Sequence, residues 1–126
     1  MEHVKRILRY KRETDGFRYK HYQVSKKWDD AQATCRQDGA HLAVIENNAT
    51  RTIVHKIMPG EGWIGLTDKW TEDTWETWDR KGSPFLFWAK KEPNNQHREE
   101  HCAVKDKSNK MNDLPCHSHR HFICQF

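Results

Sequence analysis

Glu92-Pro93-Asn94, followed by Glu100-His101-Cys102 and then by Met111-Asn112-Asp113-Leu114-Pro115-Cys116, is the stretch that decides how the rest of the chain is read. Glu92, Asn94, Glu100, Asn112 and Asp113 are all oxygen-bearing: three carboxylates and two amides. That set suits a hard cation such as Ca²⁺, which takes six to eight oxygen ligands and accepts carboxylate and amide oxygens alike. The acids would neutralise the ion and leave room for the oxygens of a neutral ligand. Pro93 adds a local device, because an X-Pro bond is the one place where a cis peptide is accessible. A cis bond there would turn the side chains of Glu92 and Asn94 towards one point. Cys102 and Cys116 bracket the second half of the set.

Working outward, the flanking sequence supplies a scaffold. Ser25 is a candidate N-cap and Gly39 a candidate C-terminal stop. Between them Trp28, Ala31 and Cys35 fall on one helical face. Residues 41–45 read as a short strand. A second helix opens at Asn47 or Asn48, buries Ile53, Val54, Ile57 and Met58, and stops at Pro59-Gly60. Residues 63–66 read as a central buried strand, whose Gly65 admits close approach of another segment. From residue 67 to 101 the periodicity fails, and Trp70, Trp75, Trp78, Phe85, Phe87 and Trp88 stand at irregular spacing. A long loop stretch in a compact domain is usually functional, and these aromatics are expected to anchor it to a small core. Residues 102–105, 110–114 and 121–126 complete the strands, with Phe122 and Cys124 on one face and Ile123 on the other.

Bulk properties narrow the class. At 126 residues the chain is read as one domain, 1–126. No apolar run approaches the length of a membrane span, and no signal peptide is visible after Met1. Only 35% of residues are hydrophobic against 32% charged, so disulfides are expected to reinforce the core. The four cysteines allow three pairings. A disulfide framework places the chain in an oxidising compartment, secreted or extracellular. The net charge of +4 is matched by residues 1–12 alone, where Lys5, Arg6, Arg9, Lys11 and Arg12 face only Glu2. That basic N-terminal segment reads as an edge strand protected by its charges, or as a contact for an anionic surface such as lipopolysaccharide. Asp15-Gly16 is a hairpin turn signal that folds the segment back on the chain. No nucleic-acid partner is expected.

Catalysis is not indicated. Adjacent Glu99 and Glu100 on a strand point apart, which is not a glycosidase arrangement, and no phosphate loop or nucleophile elbow is present. His117, His119 and His121 alternate and would share a face in an extended segment, as a zinc site or as polar surface.

In order and spacing, Trp63-Ile64-Gly65-Leu66, Glu92-Pro93-Asn94, Glu100 before Cys102 and Asn112-Asp113 before Cys116 resemble the C-type lectin domain family, from about Phe17 to the C-terminus. The resemblance implies an α+β fold, the C-type lectin-like fold, with two helices, small antiparallel sheets, a long calcium-binding loop region and two disulfides. It pairs Cys35 with Cys124 and Cys102 with Cys116. It implies Ca²⁺ held by Glu92, Asn94, Glu100, Asn112 and Asp113, with the same residues holding a sugar whose neighbouring hydroxyls bind the metal directly. Glu before Asn around the proline goes with mannose-class sugars, including fucose and N-acetylglucosamine, and Gln before Asp with galactose. The reason is hydrogen-bond polarity: each hydroxyl donates to a carboxylate and accepts from an amide N–H. Asp68, Glu72, Asn95 and Glu100 match an auxiliary calcium site. Two positions depart from the pattern. Met111 stands where Trp is usual, and His101 where relatives carry Asp or Asn. The spacing and the Met111–Cys116 ending are similar to soluble invertebrate lectins, of arthropods, that recognise microbes. The alternative is an interaction module whose calcium is structural and whose partner is a protein or an anionic surface. No heptad repeat supports an oligomer, so multivalent binding would need self-association or a region outside the chain.

Overall fold

The computed structural model describes residues 9–82, 85–94 and 99–126. Its elements, in chain order, are β1 (Tyr19–Lys26), α1 (Trp28–Gln37), β2 (His41–Leu42), α2 (Asn48–Ile57), β3 (Gly62–Thr67), β4 (Glu100–Lys105), β5 (Met111–Pro115) and β6 (Arg120–Gln125). The strands form one sheet in the order β1-β6-β3-β4-β5, and β2 pairs with β6 off that path. The antiparallel pairs expected from the sequence are joined by one parallel contact, Trp63 against Phe122, between β3 and β6. That contact unites the outer strands with the pair that carries Glu100 and Asp113.

Period-two alternation in β6 separates two cores. Ile123 packs with Tyr19, Ile53, Val54, Met58, Ile64 and Met111 on one side. Phe122 and Cys124 pack with Trp28, Cys35, Leu42 and Trp63 on the other. Helix α1 lies over the second face, and its buried residues are Trp28, Ala31 and Cys35, as the 3.6-residue period requires. Its N-cap is Lys27, not Ser25. Pairing of Lys26 with Arg120 keeps β1 extended past Ser25, so tertiary pairing overrides the local capping preference. Asp29 and Asp30 in the first turn complement the positive end of the helix dipole instead. Gly39, at φ +76°, ends the turn, its N–H donating to Arg36 O. In α2 the Asn47 side chain caps the helix by accepting from Thr50 N at 2.9 Å, and Ile53, Val54 and Met58 are buried while Ile57 is only half-buried.

The strand expected over residues 41–45 stops at Leu42. Beyond it the buried Gln125 side chain replaces the ladder, its Oε1 accepting from Val44 N at 3.3 Å and its Nε2 donating to Val44 O at 3.1 Å. Gly65 is required at its position: a Cβ there would lie 2.5 Å from Leu42 O. The disulfides are Cys35–Cys124 and Cys102–Cys116. Arg12 bridges Arg18, Tyr10 stacks on Phe126 at 5.8 Å, and Arg18 and Phe126 exchange backbone hydrogen bonds, so the hairpin at Asp15-Gly16 brings the two ends together. Lys5 and Arg6 of the basic segment lie outside the described residues.

Lys105 is fully buried at the end of β4, where its Nζ donates to Met58 O and sits 3.1 Å from His55 Nδ1. Burial pushes its amine down to about 8, against a partial opposing effect of the Asp106 charge. The folded protein therefore gives up this proton near pH 8 and the unfolded chain near 10.5. Between those values the unfolded state binds more protons, so stability rises with pH. The thermal midpoint is expected to climb across that window, and the rise to vanish in Lys105→Met. All four cysteines are paired, so no thiol is present to start alkaline exchange.

Candidate functional site

Backbone clasps hold the described residues between β3 and β4. Thr67 and Glu76 exchange both main-chain hydrogen bonds, and Met111 N donates to Phe87 O while Ala89 N donates to Met111 O. Trp75 and Phe87 are buried, and Phe85 and Trp88 pack against the same core. Met111, where the family usually has Trp, is fully buried among them. Trp70 and Trp78 do not anchor the loops: both are exposed, Trp70 beside Arg80 at 4.7 Å and Trp78 stacked on His41 at 5.4 Å.

This frame delivers Glu92, whose N–H donates to Ala89 O, to the buried Asp113 of β5. The Glu92–Pro93 bond is cis. Asn94 N donates to Asp113 Oδ1 at 3.0 Å, Asn94 Nδ2 to Glu92 Oε1 at 2.8 Å, and Asp113 N to Glu92 Oε2 at 3.5 Å. Burial, together with the neighbouring Asp113 carboxyl, pushes Glu92 up to about 7. Two carboxyls facing each other in a partly desolvated notch repel. A cation between them would relieve that cost, and the donors present, carboxylate and amide oxygens, are those calcium takes. Glu92, Asn94 and Asp113, the three that these contacts bring together, fit the ion.

Glu100 is buried at the start of β4, in register with Pro115. Asn112 is held by Asp106, to whose Oδ2 its amide nitrogen donates at 2.8 Å. Asp106 was not singled out from the sequence. The only hint is its place at the head of the Lys107-Ser108-Asn109 turn, where its Oδ1 accepts from Ser108 N and Lys110 N. Of the auxiliary set, Asp68 and Glu72 converge on His101, and Asn95 lies outside the described residues. His101 Nδ1 is 3.0 Å from Asp68 Oδ1 and 3.3 Å from Glu72 Oε2. Among the described residues this is the one group of three or more His, Cys, Asp or Glu side chains placed to hold a metal. His117 and His119 lie exposed in the turn before β6, so they do not share a strand face with His121.

The model of the lectin C-type domain matches residues 24–126, more than four-fifths of the chain. The chain belongs to the C-type lectin domain family. A C-type lectin mannose-binding isoform of Notechis scutatus scutatus is 37% identical over 122 residues, covering 88% of this chain and 77% of the relative. A C-type lectin galactose-binding isoform of Pseudechis australis is 35% identical with the same coverage. Among solved structures, the carbohydrate-recognition domain of the mouse scavenger receptor C-type lectin superposes with a TM-score of 0.87 at 28% identity, over 93% of this chain and 92% of that one. These relatives are named for binding mannose, for binding galactose and for carbohydrate recognition. Relatives named for mannose and for galactose stand at nearly equal identity, so overall similarity does not select the sugar.

Proposed function

We propose that this C-type lectin domain binds mannose-class sugars in a calcium-dependent manner, through Glu92, Asn94, Glu100, Asn112 and Asp113. The observation that carries the reading is the convergence of Glu92, Asn94 and Asp113, with Glu92 held up to about 7 by burial and by Asp113. Calcium bound there would supply coordination positions for two neighbouring sugar hydroxyls. The chain's own part is to orient those hydroxyls. Glu92 and Glu100 accept hydrogen bonds from them, and Asn94 and Asn112 donate. Each amide has two N–H groups; one N–H of Asn94 meets Glu92 and one of Asn112 meets Asp106, which orients both amides. The acceptor-before-donor order across Pro93 favours neighbouring equatorial hydroxyls. Two disulfides fit action outside the reducing cytosol.

The test is retention on immobilised mannose and galactose with calcium and with EDTA. Mannose retention that EDTA abolishes is expected, with Glu92→Gln/Asn94→Asp moving the preference towards galactose. Retention on galactose by the wild type would overturn the sugar assignment. Retention unaffected by EDTA would overturn the role of calcium.

A further inference from the structure

We propose that Asp68, Glu72 and His101 form a site for a borderline divalent metal, Zn²⁺ foremost, at the position where the family pattern puts an auxiliary calcium. The site lies outside the sugar-contacting set and does not depend on the sugar reading. Calcium is a hard cation that takes oxygen, and His101 brings a ring nitrogen into the centre of the group. Imidazole with carboxylates is a donor set for zinc and its neighbours in the transition series.

The spacing agrees. His101 Nδ1 stands 3.0 Å from Asp68 Oδ1 and 3.3 Å from Glu72 Oε2, and the ligand atoms all lie within 4.8 Å of one another. Zinc bonds of about 2.0–2.1 Å at tetrahedral angles give a ligand–ligand edge of about 3.3 Å. Asp68 and His101 are placed by the sheet rather than by each other. Asp68 N and Thr67 Oγ1 both donate to His101 O, which ties the end of β3 to β4 beside the ligands. The Asp68 side chain is 99% buried, and its second oxygen, Oδ2, accepts from Asp73 N at 2.9 Å. That outer hydrogen bond turns Oδ1 to the imidazole, as secondary contacts orient ligands in metal sites. Glu72 is half-exposed and comes from the loop. These three ligands, among the described residues, would supply three of the four positions of a tetrahedral zinc.

The measurement is zinc content and calorimetric zinc titration of the whole chain near neutral pH, with calcium saturating. Wild type is expected to take up one equivalent that calcium does not displace. His101→Gln and Asp68→Asn are expected to lose it, and Glu72→Gln to weaken it at least tenfold. His117→Gln/His119→Gln is expected to keep it, which separates the site from surface histidines. Co²⁺ in place of zinc is expected to give tetrahedral visible absorption that His101→Gln abolishes. His101→Asn, which replaces the ring nitrogen by an amide oxygen, is expected to lose zinc and gain one calcium equivalent, a gain a merely misfolded variant would not show. The inference is overturned by wild type taking up no zinc, which would leave the group an imidazole–carboxylate pair. It is equally overturned by zinc uptake that survives His101→Gln, or by calcium displacing the zinc.

Discussion

Asp113→Asn is expected to abolish the stabilisation of the protein by calcium and, with it, retention on mannose. The substitution is nearly isosteric. The amide oxygen that replaces Oδ1 still accepts from Asn94 N, so the loop at Pro93 keeps its anchor. What changes is one negative charge. A unit charge a few ångströms from a cation is worth roughly 1–4 kcal/mol at dielectrics between those of water and a protein surface, or from about fivefold to several hundredfold in affinity. Asp113 is buried, which places the effect at the upper end. The same change removes one cause of the raised pKa of Glu92, leaving burial as the other. The calcium-free variant is therefore expected to melt no lower than calcium-free wild type. Calcium at a hundred times its dissociation constant stabilises a folded protein by about 2.7 kcal/mol, and this increment is what the variant loses. Thermal melts of both proteins in calcium and in EDTA give the answer. A full calcium increment in Asp113→Asn would show that the ion is held elsewhere.

The notch was legible in the sequence because its residues sit close together in two short motifs, and a proline between Glu92 and Asn94 leaves few conformations. Periodicity was equally informative where one face is buried: Trp28, Ala31 and Cys35 on α1, and Phe122 and Cys124 against Ile123 on β6, are where spacing places them. Ser25 misled because its capping preference is local, whereas the β1–β6 pairing that keeps it extended joins residues about a hundred positions apart. The parallel Trp63–Phe122 contact has no local signature for the same reason. Strand β2 is shorter than its apolar run because a side chain, Gln125, does the work of a neighbouring backbone. Trp78 and Trp70 look like core residues by type, yet an indole can also lie on the surface against arginine or histidine. In the sequence, Asp68 and Glu72 of the group at His101 match the family's auxiliary calcium pattern, and His101 is a departure from it. Its meaning came from the distance to Asp68 and Glu72, which are separated from it by a long loop.

Cys35→Ala/Cys124→Ala is expected to cost the fold most of its margin. The bridge joins residues 89 apart in sequence. In the chain-entropy model a loop of that length raises the free energy of the unfolded state by about 4–5 kcal/mol, against about 3 for the 14-residue separation of Cys102–Cys116. A domain of this size is stable by only about 5–15 kcal/mol. Packing adds to the entropic loss. Cys35 and Cys124 are fully buried between Trp28, Leu42 and Phe122, so two alanines leave unfilled volume where both sulfurs stood. The bridge also ties α1 to β6, the strand that pairs with β1, β2 and β3. Calcium is not expected to recover the loss, because the ligands proposed for it, Glu92, Glu100 and those on β5, lie beyond β3 from the bridge. Denaturant unfolding is expected to show a fall of about 4 kcal/mol or more for this pair, and a smaller fall for Cys102→Ala/Cys116→Ala in EDTA. In calcium the order should narrow or invert, because the shorter bridge spans β4 and β5, which carry Glu100, Asn112 and Asp113. Equal falls for both pairs with and without calcium would mean that neither loop length nor the position of the bridge relative to the ion governs stability.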